Sequence, residues 1–317
     1  MPDAKSAAAK REEEQSTLER ETAAYIEHLE SARKLSPHTV RSYKSDLEAY
    51  ALWVQREGVL PLSVSQRQLR RYLAELTRAR YSSRTINRHL SAIRGLYRWM
   101  FDRGVTTCNA TDALASPKIA RTLPTTMSDE EVKRLLESCD VGNPEGLRDR
   151  AFLELLYASG ARISEISRLD IADIDRRQGQ ARLFGKGSKE RIVPLYAEAL
   201  RWLETYLSDA RQELAAKAKG VRDDKALFLS TRGRRMSAAA LRTRFERQVK
   251  LAGLDPSLTP HAMRHTYATE LLTGGADMRS VQELLGHTSL STTQIYTHLS
   301  PARLKAVHSQ AHPRAGG

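Results

Sequence analysis

The sequence predicts a mainly α-helical fold with a small β-sheet, in two domains, and three observations carry that prediction. Apolar residues recur at helical spacing along most of the 317-residue chain. Only residues 181–195 show the short paired runs of a β-hairpin. Residues 116–127, SPKIARTLPTTM, hold two prolines, no acid and no helical stripe, and so read as a linker. At about 100 to 200 residues per domain, the chain has room for one core on each side of it.

Lys and Arg number 51 against 38 Asp and Glu, a formal net charge of +13, with 40% hydrophobic and 28% charged residues, as in an ordinary globular protein. No run nears the roughly 18 apolar residues of a membrane span, and MPDAKSAAAKREEEQ lacks the apolar core of a signal peptide. A cytoplasmic protein without membrane insertion is expected. Cys108 and Cys139 form no CxxC pattern and read as free thiols, not as a disulfide or a zinc site. The basic excess suits a polyanionic partner but also a solvated basic surface.

Residues 1–16, of mostly Ala, Lys and Glu without an apolar period, read as a disordered extension. Residues 17–115 read as a helical domain. Leu18, Tyr25, Ile26 and Leu29 share a first helix face, and Ser36-Pro37 starts a second helix, with serine as N-cap and proline where its missing N–H costs nothing. Val40, Tyr43, Leu47, Ala51 and Val54 line one side of it, and Gly58 lies near its end. A third helix is expected over 65–78, and a fourth begins near Ser82 and Ser83.

That fourth helix has two distinct faces. Ile86, Leu90, Ile93, Tyr97 and Met100 fall within about 40° either side of one line, while Arg84, Arg88, Arg94 and Arg98 spread over an arc about 80° to 200° away. Residues 67–103 hold ten arginines against Glu75 and Asp102, which is +8 of the chain's +13. With few acids to compensate them, these arginines are expected to meet DNA phosphates; a solvated basic face is the alternative.

Residues 128–317 read as the second domain. Ser128 and Glu131 form a capping box ahead of Val132, Leu135 and Leu136. Helices are expected at 146–158, 163–169, 197–215, 237–251, 261–273, 278–285 and 291–299. Strands at 181–184 and 191–195 flank Gly185-Lys186-Gly187-Ser188 as a hairpin.

Four segments of this domain bring unusual polar residues to element boundaries. Arg162 follows a glycine and precedes a helix capped by Ser164, placing a cation at a helix start, where anions bind well. Lys186 sits at the glycine-flanked hairpin tip. In Thr259-Pro260-His261-Ala262-Met263-Arg264, threonine caps a helix whose i, i+3 spacing puts His261 and Arg264 on one face. Gly286 ends a helix, His287 lies in the following turn, and Tyr296 sits on the next helix. His261 and His265 stand at i, i+4 but lack an intervening Glu and an evident third ligand, so no metal site is expected.

In this order, Arg162, Lys186, His261-x-x-Arg264, His287 and Tyr296, with LLGHTSLSTTQIYTH around the last two, resemble the tyrosine recombinases, or phage integrase-like proteins, of the bacterial Xer type. SPHTVRSYKSDL and SSRTINRHLSAIRGLYRW look like that family's N-terminal core-binding domain. The C-terminal AHPRA resembles the end of Xer proteins, and RSVQELLGHTSLSTTQIYTHL looks closer to the XerC branch than to XerD.

The resemblance implies a C-shaped two-domain DNA clamp, a core-binding domain followed by an α+β catalytic domain, cutting and rejoining duplex DNA at a specific site. Tyr296 would be the nucleophile, forming a covalent 3′-phosphotyrosine and a free 5′-hydroxyl. Arg162 and Arg264 would hold the non-bridging oxygens, Lys186 would protonate the departing 5′-oxygen, and His261 and His287 would handle a proton and bind the phosphate. The proton roles of these last three stay open. Neither a metal nor a nucleotide is expected: two arginines, a lysine and histidines can neutralise the phosphate, and the phosphotyrosyl bond conserves the energy of the broken one.

Arg41, Lys44, Arg84, Arg88, Arg94 and Arg98 are the expected DNA contacts. The family further implies a XerD-like second recombinase, a cyclic tetramer on DNA, a DNA-translocase activator, and a C-terminal exchange segment at about 300–317. A terminal helix packing on its own domain is the alternative for that segment. A non-catalytic DNA-binding protein and a relaxing topoisomerase are competing readings of the whole chain.

Overall fold

The computed structural model describes residues 3–33, 35–107, 111, 114, 125–185, 190–220, 223–286, 308 and 311–314. It divides into two units, Met1–Thr122 and Leu123–Gly317. Each has its own core. Among the described residues no helix is long and apolar enough to cross a membrane.

The first unit is built on α1 (Asp3–Ser31), α2 (Pro37–Arg56), α3 (Gln66–Arg78) and α4 (Ser83–Asp102). Ser36, Ser65 and Ser82 cap the last three, each hydroxyl accepting from the backbone N–H three residues on, at 3.2, 3.3 and 3.1 Å. At α3 the cap is reciprocal, since the Gln68 side chain accepts from the Ser65 N–H at 2.8 Å. Tyr50 lies at the centre of this core, with its hydroxyl 2.8 Å from that of Tyr97, which in turn donates to the Pro61 carbonyl at 2.7 Å.

Helix α1 begins at Asp3, so the segment expected to be a disordered extension is helical from that residue onward. Its Ala, Lys and Glu content favours helix without needing an apolar stripe. Buried Glu14 fixes it in place by accepting from the Leu62 N–H at 3.0 Å.

The second unit surrounds α6 (Pro144–Ser159), a helix buried on nearly every side. α5 (Asp129–Glu137), the continuous α8 (Ala197–Thr205) and α9 (Arg211–Ala216), and α11 (Pro260–Thr273) pack around it; α10 (Ala238–Leu251) and α12 (Met278–Leu285) complete the helices that bear on the site. The two acids that α6 buries are satisfied. Asp149 accepts from Arg148 at 2.8 Å, Arg244 at 2.7 Å and Gln248 at 3.1 Å; Glu154 accepts from Arg150 at 3.0 Å, from Tyr196, and from Arg314 at 3.2 Å.

The two expected strands pair, with β2 (Gln180–Phe184) antiparallel to β3 (Glu190–Pro194) and Leu183 opposite Arg191, while residues 186–189 of the expected tip lie outside the described residues. A short β1 (Ile174–Asp175) adds a third strand, in the order β1-β2-β3. The helix expected over 163–169 is a single turn, α7 (Ile163–Ile166), because the chain turns away to let Leu169 accept from the Leu227 N–H at 2.9 Å. The helix expected over 197–215 contains a wider π turn, Tyr206–Ala210, between α8 and α9. There Tyr206 is buried and accepts from the Leu229 N–H at 3.1 Å.

His308 and Ala311–Arg314, the described part of the proposed exchange segment, lie against α6 of their own unit. His308 Nε2 is 3.3 Å from the Ala158 carbonyl, and the His312 ring centre is 4.9 Å from that of Tyr157. The remainder of that segment and the helix expected at 291–299 lie outside the described residues.

Candidate active site

Three of the six expected catalytic residues, Arg162, His261 and Arg264, lie among the described residues; Lys186, His287 and Tyr296 do not. Arg162 and Arg264 come to the C-terminal end of α6, and His261 lies one turn before Arg264 on α11. Helix α6 ends at Gly160, whose left-handed φ of +53° suits a residue without a side chain. A Cβ there would stand 2.3 Å from Tyr267 Cδ1. The tight end of α6 thus lets α11 approach and leaves the Gly160 carbonyl pointing at Arg264.

Arg264 is only 5% exposed, and its fork joins two separate elements: one terminal nitrogen donates to Gly160 O and the other to Leu285 O, each at 2.6 Å. Burial, then the neighbouring Arg162 charge, lowers its pKa to about 10, so it remains a cation at neutral pH. A guanidinium held this way is rigid and barely solvated, which strengthens its attraction for any anion reaching it.

Arg162, with 43% of its side chain exposed, is the outward member of the pair. It is itself the N-cap of α7, in place of the expected Ser164, and the Glu165 carboxylate accepts both from its backbone N–H at 2.9 Å and from its guanidinium at 3.0 Å. Because α7 is one turn long, it adds little dipole of its own, and the expected contribution of a helix start is small. His261 is exposed in the first turn of α11, whose N-cap Thr259 accepts from the Ala262 N–H at 3.3 Å.

Two residues outside the expected set, Glu165 and Arg191, complete the site. Arg191 grips Glu165 with two parallel bonds, at 3.0 and 2.7 Å, and donates from Nε to the Leu284 carbonyl at 2.7 Å. Burial alone would raise the Glu165 pKa, but Arg191 first and then Arg162 hold it below the usual carboxylate range. Strand periodicity offered the clue: Arg191 shares a face with fully buried Val193, and an inward-facing cation needs a partner.

In the first unit, Arg41, Lys44 and Arg84 are exposed. The expectation that few acids compensate the α4 arginines needs one addition, Asp46 from α2, and three of the four have protein partners. Arg88 makes a two-pronged pair with buried Asp46, at 2.7 and 2.9 Å; Arg94 donates to the carbonyls of Thr111 and Leu114; Arg98 pairs with Asp102 at 3.0 Å. Asp46 also lies 3.1 Å from His89 Nε2. It escaped the sequence reading because it is distant in sequence and lies on α2.

Comparison with known proteins extends this picture. Residues 125–303 match the phage integrase family and residues 22–104 the phage integrase N-terminal SAM-like domain. Tyrosine recombinase XerC of Pelotomaculum thermopropionicum is 40% identical over 299 residues, covering 92% of this chain and 98% of the relative. Tyrosine recombinase XerD of Pseudomonas aeruginosa is 39% identical over 290 residues, covering 92% and 96%. Among solved structures, the XerH site-specific recombinase bound to difH substrate, in a pre-cleavage complex, matches with a TM-score of 0.65 and 26% identity over 91% of this chain and 84% of that one.

A helical first unit, a second unit with two arginines gathered at the end of its central helix, and these likenesses define a site-specific recombinase of the tyrosine class. The chain belongs to the phage integrase family. XerC and XerD relatives resemble it to nearly the same degree.

Proposed function

We propose that this recombinase cuts duplex DNA at a specific site with Tyr296 as nucleophile and rejoins the end to a new strand. The Tyr296 oxygen attacks the scissile phosphorus, the bond from phosphorus to the 5′-oxygen breaks, and the 3′-phosphate stays on the tyrosine. Lys186 gives the departing 5′-oxygen its proton, and His261 takes the tyrosine proton. A 5′-hydroxyl from another strand then reverses the step and frees Tyr296. Arg162 and Arg264 stabilise the charge that builds on the non-bridging oxygens, and His287 donates a hydrogen bond to the phosphate.

The observation that carries this reading is the Arg162 and Arg264 pair. One is buried and held by two backbone carbonyls, the other half-exposed and held by Glu165. That is a preorganised, doubly cationic seat suited to a tetrahedral phosphate. Residues 17–115 serve as the core-binding domain and 128–317 as the catalytic domain, with 116–127 as the linker. Arg41, Lys44, Arg84, Arg88, Arg94 and Arg98 contact the DNA backbone. The protein works in the cytoplasm, at the nucleoid, as half of a cyclic tetramer with a XerD-like recombinase. That tetramer resolves chromosome or plasmid dimers, is activated by a DNA translocase, and passes its 300–317 segments between neighbours.

The test uses a pool of nicked duplexes with randomised centres, incubated with the protein in EDTA. A denaturation-resistant protein–DNA adduct is expected, and sequencing the captured DNA reports the site. Tyr296→Phe should form none; an equal adduct from that variant would displace Tyr296 as nucleophile. Relaxation of plasmids irrespective of sequence would point to a topoisomerase instead.

A further inference from the structure

We propose that Arg191 is a positioning residue for strand cleavage, clamping Glu165 and the last turn of α12 together so that Arg162 and Arg264 present a fixed pair of guanidiniums to the phosphate. This rests on the reading of those two arginines as the phosphate clamp.

Arg191 comes from β3 and is buried, with 10% of its side chain exposed. Its Nε and both terminal nitrogens are engaged by protein acceptors: the two Glu165 oxygens and the Leu284 carbonyl. A residue so occupied acts on the reaction through its partners. One partner, Glu165, is the carboxylate that holds the Arg162 guanidinium. The other, Leu284, directly precedes Leu285, whose carbonyl holds Arg264. A single side chain therefore bears on the placement of both members of the pair.

Packing supports the assignment. At Gly286, where φ is +65°, a Cβ would lie 3.0 Å from an Arg191 terminal nitrogen, so the C-cap of α12 sits directly against this guanidinium. Among the described residues, the charged groups facing Glu165 are Arg162 from its own turn, Arg191 from β3 and Arg264 from α11. Without Arg191, a buried carboxylate keeps its desolvation and loses its strongest partner. Its pKa then rises, and on protonation it loosens its hold on Arg162.

The experiment measures single-turnover adduct formation on a captured nicked duplex, across pH and DNA concentration. In Arg191→Met, the rate at saturating DNA should fall about 10- to 100-fold, the scale of a misplaced clamp, with half-saturation nearly unchanged. The rate should also acquire a limb that falls as pH drops, and adding Glu165→Gln should abolish that limb with little further loss of rate. Arg191→Lys keeps the charge but cannot grip three acceptors at once; it should fold, lack the acid limb and remain slower than the parent, which keeps the test decisive if the methionine variant does not fold.

Parental rates in the lysine variant would overturn the proposal. So would a methionine variant that changes only half-saturation, which would make Arg191 a DNA ligand, or only melting temperature. An unmodified protein that forms no adduct would remove the recombinase reading and this proposal together. A normal parental adduct with unaffected Arg191 variants would remove this proposal alone.

Discussion

Gly160→Ala offers a direct test of how tightly the site depends on the end of α6. Two costs can be read from the structure. A residue with a Cβ at φ +53° carries a left-handed penalty of about 1–2 kcal/mol. The new methyl would also stand 2.3, 2.8 and 2.9 Å from Cδ1, Cε1 and Cγ of Tyr267, a fully buried ring that cannot swing aside, and such overpacking costs about 1–3 kcal/mol. The sum is about 2–5 kcal/mol. At about 2–4 °C per kcal/mol for a domain of this size, calorimetry should show the second unit's transition falling by about 4–20 °C. Combining the change with Tyr267→Leu should recover the steric share and leave the left-handed share, so the cycle should return a favourable coupling of about 1–3 kcal/mol. The reasoning is refuted if Gly160→Ala melts within a degree of the parent, or if the two substitutions prove additive. Because the same residue's carbonyl holds Arg264, adduct formation should fall as well, even well below the melting temperature.

Other expectations can be checked as directly. Asp46→Ala removes a buried carboxylate shared by Arg88 and His89, and should lower the stability of the first unit by about 1–3 kcal/mol in urea denaturation. An unchanged midpoint would mean that the pair contributes nothing. Arg84→Ala should reduce the slope of log affinity against log salt by about one unit, as for one lost phosphate contact, and an unaltered slope would return that face to plain solvation. The C-terminal segment should loosen in acid. Burial lowers His308 to about 4 and His312 to about 3, so between those values and the ordinary 6.5 the released segment binds protons that the packed one does not. The stabilisation is therefore complete above about pH 6.5 and lost as pH falls, with a slope of about 1.4 kcal/mol per pH unit for each histidine. Hydrogen exchange at the His312 amide, which donates to the His308 carbonyl at 2.9 Å, should be protected at pH 7.5 and much less so at pH 5 once the intrinsic rate is corrected; equal protection would contradict it.

Local signals in the chain located most of the fold. Ser36, Ser128 and Thr259 each cap the helix expected of them, and Ser65 and Ser82 cap the two helices whose starts were expected there, because capping depends on residues three apart. What stayed hidden depends on partners distant in sequence. Glu14 anchors α1 by reaching Leu62, and Leu227 cuts α7 short by pairing with Leu169. The site divides in the same way. Arg162, His261 and Arg264 announce themselves at element boundaries, but nothing local says that Arg264 is sunk beneath two carbonyls or that Arg162 leans on Glu165. Arg191 and Asp46 show the general difficulty: a buried charge is recognised by its partner, and the partner is supplied by the fold.

The Arg88 and Asp46 pair also bears on how this protein would meet an anion. A free surface arginine surrenders about 2 kcal/mol of rotamer freedom when a ligand pins it. Arg88 has surrendered much of that already, on folding, through two bonds to an acid that is itself immobile, yet 42% of its side chain still faces outward. An approaching phosphate therefore finds a donor whose direction is set before contact, and binding there orders the ligand more than the protein. Arg84, exposed one turn away, has no such acid partner among the described residues, so the two positions on one helix should differ less in charge than in how much disorder each loses on binding.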